Sequence, residues 1–481
     1  MKYKIIVSAF LILWLLFLNK LFKINEAEEF KDSVEFVEKA NLGVSSQEAY
    51  EILFKGEEIG FAIHKINETE KGYLLTQNVN LSLKVMGKRT NLFLIAKTKT
   101  DKSSKLRSFR IEIKSDETNF NVLGSLVSEK ELEIQIQSSA GINRQKLKLN
   151  APPVLDMSLK SIMAKALTEK QKKAKFNIFN PQTLKNEPIL AEFKGMKKLL
   201  WHGEEIDTYY FEVRDLKKKD LPFVYKYWLD HNGVSYREET PLGVTLIKAK
   251  DLKSVSLGKV SNNEFLDLVK VKPKGDIDKL KRGSGFYYTL KSKGLKSAGY
   301  ENESFEYNPF AKPEKVKSVD RSFLDAEVLI QSEHPVIKRK AEVLTRGTKG
   351  YTKRAAKIID FVFKSLAKTP SIGLPNALEV LQNRKGDCNE HAVLTVALLR
   401  AALIPSRIVV GLVYQKDAFY YHAWVEYLSE DRKWVSADPA FNQIPSDHLH
   451  IPVSKGSFMV QNDIQYILSD LEITIKDDKK L

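Results

Sequence analysis

From about Tyr50 to Lys250 apolar and polar residues alternate with a period of two, the spacing that lines one face of a strand. In NVNLSLKV, Val79, Leu81, Leu83 and Val85 fall on one side; Phe109, Ile111 and Ile113 repeat the pattern. So do Leu132, Ile134 and Ile136, then Tyr209, Phe211 and Val213, and the run VTLIKA. These stretches predict a large antiparallel β-rich region with one buried face. GEEIGF at Gly56 and GEEID at Gly203 hint at a repeated hairpin. In YKYWLDHNGVSYREE, Asn232-Gly233 predicts a turn with Trp228 packed on the sheet, in preference to a ligand patch around Tyr227, His231 and Tyr236. The Lys-rich SLKSIMAKALTEKQKKAKF is read as a helix or loop excursion whose lysines solvate one face.

The pattern changes at both ends. Lys2 and Lys4 flank a mainly apolar run from Ile5 to Leu18, extendable to Phe22, which predicts an N-terminal membrane helix. No small-x-small cleavage site follows, so an uncleaved anchor is preferred to a signal peptide. The basic flank places the bulk of the chain outside the cytoplasm. Residues 25–45 are charged and helix-compatible. Residues 251–324 are rich in Gly, Lys and Pro and predict a small β extension followed by a linker. Beyond Asp325 the period becomes helical, with Ala355, Ile358, Ile359, Val362, Phe363 and Leu366 on one stripe. The predicted organisation is an anchor at 1–24, a β-rich domain at 25–250, the extension at 251–324 and a catalytic domain at 325–481. Its fold class is α+β.

Composition narrows the functional classes. The chain has 481 residues, 43% hydrophobic and 29% charged, enough for two or three cores. Its net charge of +16 is spread along the length with no basic, aromatic-interleaved stripe, so no nucleic-acid partner is expected. The one cysteine, Cys388, excludes an intramolecular disulfide and every all-cysteine metal cage. His64, His202 and His334 lack ligand-forming neighbours and are read as structural or surface residues. No metal spacing is found and no cofactor is implied.

The candidate chemistry gathers around that cysteine. The run AVLTVALLRAALIP predicts a buried helix whose first turn carries Cys388, where the helix field favours a thiolate. In the strand YYHAWVEYL, His422 and Trp424 share one face and Ala423 and Val425 the other. Asp438, before Pro439, occupies a strand-end turn from which it can fix the tautomer of His422. Each type has its work: the thiolate attacks an acyl carbon, the imidazole moves the proton, and the carboxylate orients the imidazole. The Cys388 backbone N–H and the Gln382 side chain are candidate oxyanion donors. His391, on the helix face of Cys388, is read chiefly as packing or hydrogen-bonding, and Trp424 and Trp434 as pocket walls.

The segments RKGDCNEHAVLTVALLRAALIPSRIVVGLVY, YYHAWVEYL and WVSADPAFNQIP strongly resemble the transglutaminase-like superfamily, a papain-related group. The resemblance covers residues 375–453 and extends from about 325. It implies a cysteine at the start of a central helix, a strand histidine and a turn aspartate, carried here by Cys388, His422 and Asp438. Many microbial membrane or secreted members look like proteases, peptidases or amidases, and some members have lost catalysis. The β-rich region more loosely resembles envelope-associated domains that precede such units. Animal cross-linking members have tryptophan after the cysteine, where this chain has Asn389; that departure points away from cross-linking and from a calcium requirement. The expected function is a membrane-associated cysteine hydrolase cleaving a peptide or protein amide in the envelope. Its alternatives are a protein-glutamine amine transferase and a noncatalytic envelope scaffold.

Overall fold

In the computed structural model the period-two stretches form one antiparallel sheet of 14 strands. The structure describes residues 46–477 apart from 86–87, 103–104, 116–118, 139–140, 150–155, 168–170, 181–184, 217–223, 242, 257–259, 262, 266–268, 299, 328, 370–375 and 457–463. The predicted anchor and the helix expected before residue 45 lie outside the described residues. Among the described residues no helix is long and apolar enough to cross a membrane. The chain divides into two units, one ending at Phe265 and one beginning at Leu266.

The first unit is two meanders sharing a seam. Strands from Ser46–Phe54 to Gly141–Lys148 follow one another in one direction, and those from Val244–Lys248 back to Lys173–Asn180 follow in the other. The seam pairs Tyr50 with Lys248 and Phe54 with Val244. The suspected repeat is real at the level of its turns. Lys55 and Gly56 have φ of 49° and 87°, and His202 and Gly203 have 46° and 88°, the double positive φ of a tight hairpin that suits the sheet twist. The Asn232-Gly233 turn also forms, with Asp230 Oδ1 accepting from the N–H groups of Asn232 and Val234.

Alternation decides the buried face, where Val79, Leu81, Leu83, Phe109, Ile111, Ile113, Leu132 and Ile134 all point inward. The Lys-rich excursion resolves into the helix Asp156–Ala166 and the strand that follows. Leu159, Ile162 and Met163 pack with Phe176, Phe193 and Phe211, each contributing about 1.5–3 kcal/mol of burial. One lysine there breaks the expectation of a solvated face: Lys160 is buried and its Nζ donates to Glu238 Oε1 at 2.7 Å.

In the second unit, helices Pro335–Thr345 (α1), Tyr351–Ser365 (α2) and Ala377–Asn383 (α3) surround Cys388–Ala401 (α4). Of the predicted stripe, Ala355, Ile358, Ile359, Val362 and Leu366 are buried, whereas Phe363 is half-buried with the Lys368 ammonium 4.1 Å over its ring. Every residue of α4 from Cys388 to Arg400 is buried, because the sheet closes its remaining side. That sheet contains strands Ser406–Gln415 (β1), Ala418–Leu428 (β2), Trp434–Ala437 (β3) and His450–Gly456 (β4), in the order β3-β2-β1-β4.

The predicted extension and linker is neither separate nor slack. From Leu266 onward it belongs to the second unit, where strand Phe286–Lys291 pairs with the C-terminal strand Glu472–Asp477. Tyr288 Oη donates to the His448 carbonyl at 2.9 Å, and His448 Nε2 donates to the Leu280 carbonyl at 2.8 Å. This stretch therefore braces the loop that leads into β4. Pairing across so much chain leaves no local trace in composition, which is why the segment reads as a linker.

Candidate active site

Three local devices place the groups. Asp387 caps α4: its carboxylate accepts from the Asn389 N–H at 3.0 Å while Glu390 Oε2 accepts from the Asp387 N–H at 2.8 Å, a reciprocal capping box. Gly386 is required beside it, since a Cβ there would stand 2.3 Å from Glu390 Cβ and the backbone has φ of 155°. Cys388 is thereby the first residue of the helix, with the partial positive field of the amide groups at its back and two capping carboxylates moderating it.

Tyr421 joins this helix start to β2. Its hydroxyl donates to Asn389 Oδ1 at 3.1 Å, and the charges of Asp438 and His422 reach His391 in the same first turn of α4. Burial, and then the charges of Cys388, Asp387 and Glu390, push the Tyr421 phenol well above its ordinary range, which keeps it a donor.

Gly411 of β1 lies opposite His422 of β2 on one side and Pro452 of β4 on the other. A Cβ there would meet Trp424 Cη2 at 2.8 Å, so its absence admits the indole beside His422 and His450. Trp424 stacks on His422 with centroids 6.1 Å apart and meets His450 edge-on at 5.2 Å. Its Nε1 donates to Ser436 Oγ at 2.9 Å.

His422 Nε2 lies 2.7 Å from Asp438 Oδ2, and both residues are buried. Asp438 Oδ1 accepts from the N–H groups of Ala440 and Phe441 at 2.7 and 3.2 Å. Its Oδ2 also receives His450 Nε2 at 3.0 Å, and His450 Nδ1 reaches Asp447 Oδ1 at 2.8 Å. Burial by itself would raise the Asp438 pKa; the charge of His422 and the hydrogen bonds from His422 and His450 outweigh it and hold the carboxyl well below the usual range. An ionised carboxylate only accepts, so His422 Nε2 carries the hydrogen of this contact. Phe441 stacks on the same imidazole at 5.0 Å and 11°.

His422 and Asp438 thus meet as the sequence predicts, and Cys388 occupies the predicted helix start. His391 is buried, its Nδ1 bonded to the Asp387 carbonyl at 2.6 Å. Burial lowers its pKa to about 4, against the opposing hydrogen bond to Asp387, so it is neutral near pH 7. Gln382 is exposed on α3. Trp434 lies elsewhere: it packs edge-on against Phe323 at 5.2 Å with the Arg407 guanidinium 4.1 Å above its ring. Trp424 is a buried wall behind the imidazoles.

His450, Asp447 and Phe441 were not anticipated. Their signal in the sequence is the polar cluster SDHLH after the DPAF turn, meaningful only once β4 is known to flank β1. The nearest ligand atoms of His422, Asp438 and His450 also lie within 4.8 Å of one another. One Asp438 oxygen already accepts both imidazoles at 2.7 and 3.0 Å, so hydrogen bonding accounts for the cluster without an ion.

Residues 338–439 match the sequence model of the transglutaminase-like superfamily, and the second unit carries a transglutaminase-like domain. Among curated proteins the chain is similar to a protein-glutamine gamma-glutamyltransferase of Pseudomonas aeruginosa, 35% identical over 97 residues. The match takes in 17% of this chain and 14% of that protein, so the chain spans about a seventh of the length of that relative. Among solved structures, a β-barrel-like domain-of-unknown-function protein from Brucella abortus aligns with 43% of this chain and 96% of its own, at 12% identity and a TM-score of 0.33. A candidate cysteine protease from Cytophaga hutchinsonii aligns with 40% of this chain and 64% of its own, at 15% identity and a TM-score of 0.28. TM-scores this low establish no common fold.

Proposed function

We propose that this protein is a membrane-anchored cysteine hydrolase that cleaves a peptide or related amide bond through an acyl-enzyme, with its bulk outside the cytoplasm. The observation that carries the reading is the buried His422–Asp438 pair at 2.7 Å, set beside a helix that begins with Cys388. In this mechanism His422 Nδ1 takes the thiol proton, and the thiolate attacks the carbonyl carbon. The Cys388 N–H, at the first turn of α4, is the candidate donor to the developing oxyanion. The protonated imidazole, its Nε2–H held by Asp438, then delivers its proton to the departing amine. Water attacks the thioester with the same imidazole as base. Cys388 is 0% exposed, so turnover includes a local opening that admits the acyl group.

The name of the curated relative favours a second reading, in which an amine resolves the acyl-enzyme. The purified protein incubated with glutamine-containing peptides and a primary amine distinguishes the two by product mass: a free acid marks hydrolysis, an exchanged amide marks transfer. A thiol-directed acyl probe labels the wild type and spares Cys388→Ala under the hydrolase reading. Equal labelling of a folded Cys388→Ala protein overturns it. A scaffold would instead capture its partner with Cys388, His422 and Asp438 replaced, and would form no covalent intermediate.

A further inference from the structure

We infer that His450 and Asp447 form a second imidazole–carboxylate pair behind the triad, whose fixed positive charge clamps Asp438 and limits how tightly Asp438 holds the proton on His422. The inference rests on the catalytic reading above and extends it to two positioning residues.

Both nitrogens of His450 lie at hydrogen-bond distance from carboxylate oxygens, Nδ1 from Asp447 Oδ1 and Nε2 from Asp438 Oδ2. Carboxylates that only accept require hydrogen on both nitrogens, which makes the ring an imidazolium. Its surroundings keep it in place. Asp447 is held in turn by the Leu449 N–H at 3.0 Å and by Gln443 Nε2 at 2.9 Å. Trp424 meets the ring edge-on at 5.2 Å and Phe441 at 6.1 Å, and the ring is 2% exposed. The brace through Tyr288 and His448 fixes the loop on its other side.

The consequence for the reaction follows from charge. With Asp438 facing His422 alone, a buried carboxylate would bind the imidazolium so strongly that proton delivery to the leaving amine would suffer. His450 supplies an opposing charge, its ring centroid 5.8 Å from that of His422. At that separation two like charges in a buried site repel each other. Other groups that act here are Asp447, whose charge faces His450 directly, the Asp387 and Glu390 carboxylates with Cys388 at the start of α4, His391, and Lys368, which acts on both Asp438 and His391. His391 is neutral near pH 7, and burial lowers the Lys368 pKa against the pull of Asp438. His450 is therefore a cation that shares the Asp438 Oδ2 atom with His422.

The test needs no known substrate. Iodoacetate alkylates a thiolate fastest when an imidazolium stands beside it, so the alkaline limb of its rate with the full-length protein reports the proton on His422. His450→Gln retains a donor toward Asp438 and removes the charge. It is expected to move that limb up by one to two pH units. Imidazole ¹⁵N shifts in selectively labelled protein should show both His450 nitrogens protonated at pH 7.5. An unshifted limb in folded His450→Gln, or a single protonated nitrogen on His450, overturns the inference while leaving the catalytic reading intact. Wild-type Cys388 that fails to react at any pH overturns the catalytic reading itself, and this inference with it.

Discussion

Asp438→Asn separates the work of the carboxylate from its bulk. The new side chain keeps one oxygen for the Ala440 and Phe441 N–H groups, so the turn survives. Its amide nitrogen, however, replaces an oxygen that accepts from His422 Nε2 and His450 Nε2. Donor then faces donor. His422 relieves the conflict by moving its hydrogen to Nδ1, the nitrogen meant to receive the thiol proton. A wrong tautomer of this kind in a hydrolase triad costs about 10⁴-fold in rate. The same substitution deprives the buried His450 imidazolium of one of its two carboxylates, which costs about 3–5 kcal/mol of stability. Acylation of Cys388 by the probe, followed by intact mass, measures the first quantity, and urea unfolding measures the second. A folded Asp438→Asn protein that acylates within tenfold of wild type refutes the assignment of Asp438 as the group that sets the tautomer of His422.

Three further outcomes are expected. Burial lowers the His450 pKa but its bonds to Asp438 and Asp447 raise it to about 9, against an ordinary value near 6.5. Because the folded value is the higher, the stabilisation of about 3 kcal/mol is complete below pH 6.5 and is lost as pH rises through 9; urea midpoints of wild type should converge with those of His450→Gln over that window, and parallel curves would contradict the shift. Lys160→Met breaks the buried ion pair with Glu238 and should destabilise the first unit by about 3–5 kcal/mol, while adding Glu238→Leu recovers most of the loss; thermal unfolding of both variants checks this. Gly386→Ala drives a Cβ into the Glu390 side chain, opening the capping box at about 1–2 kcal/mol and slowing Cys388 acylation, whereas acylation at the wild-type rate would show that the cap does not position the thiol.

The parts legible in the sequence are those whose cause is local. Strand faces such as Val79, Leu81 and Leu83 follow from a period of two, and the α2 stripe from a helical period. Turns follow from Gly at positive φ, as in the two GEE hairpins. Cys388 at a helix start is legible because Gly386, Asp387 and Glu390 write the cap in consecutive residues. His422 is legible because it stands in a mostly apolar strand, where the period of two puts it on one face with Trp424.

What stayed hidden depends on register between distant strands. Lys160 reads as a solvated lysine because its partner Glu238 comes from a hairpin far along the chain. Gln382 has a suggestive spacing from Cys388, but spacing cannot tell which way the short helix α3 turns its side chains. His450 illustrates the same limit at the site. In the sequence it is one polar residue in SDHLH. Pairing with β1 sets His450 opposite Val413, while Gly411 of the same strand lies opposite His422 on β2. Only that shared central strand, with no side chain at Gly411 to keep the rings apart, brings two imidazoles to one carboxylate. The stretch around Tyr288 bonds the loop that leads into β4, so a segment that reads as a linker helps to fix the position of His450.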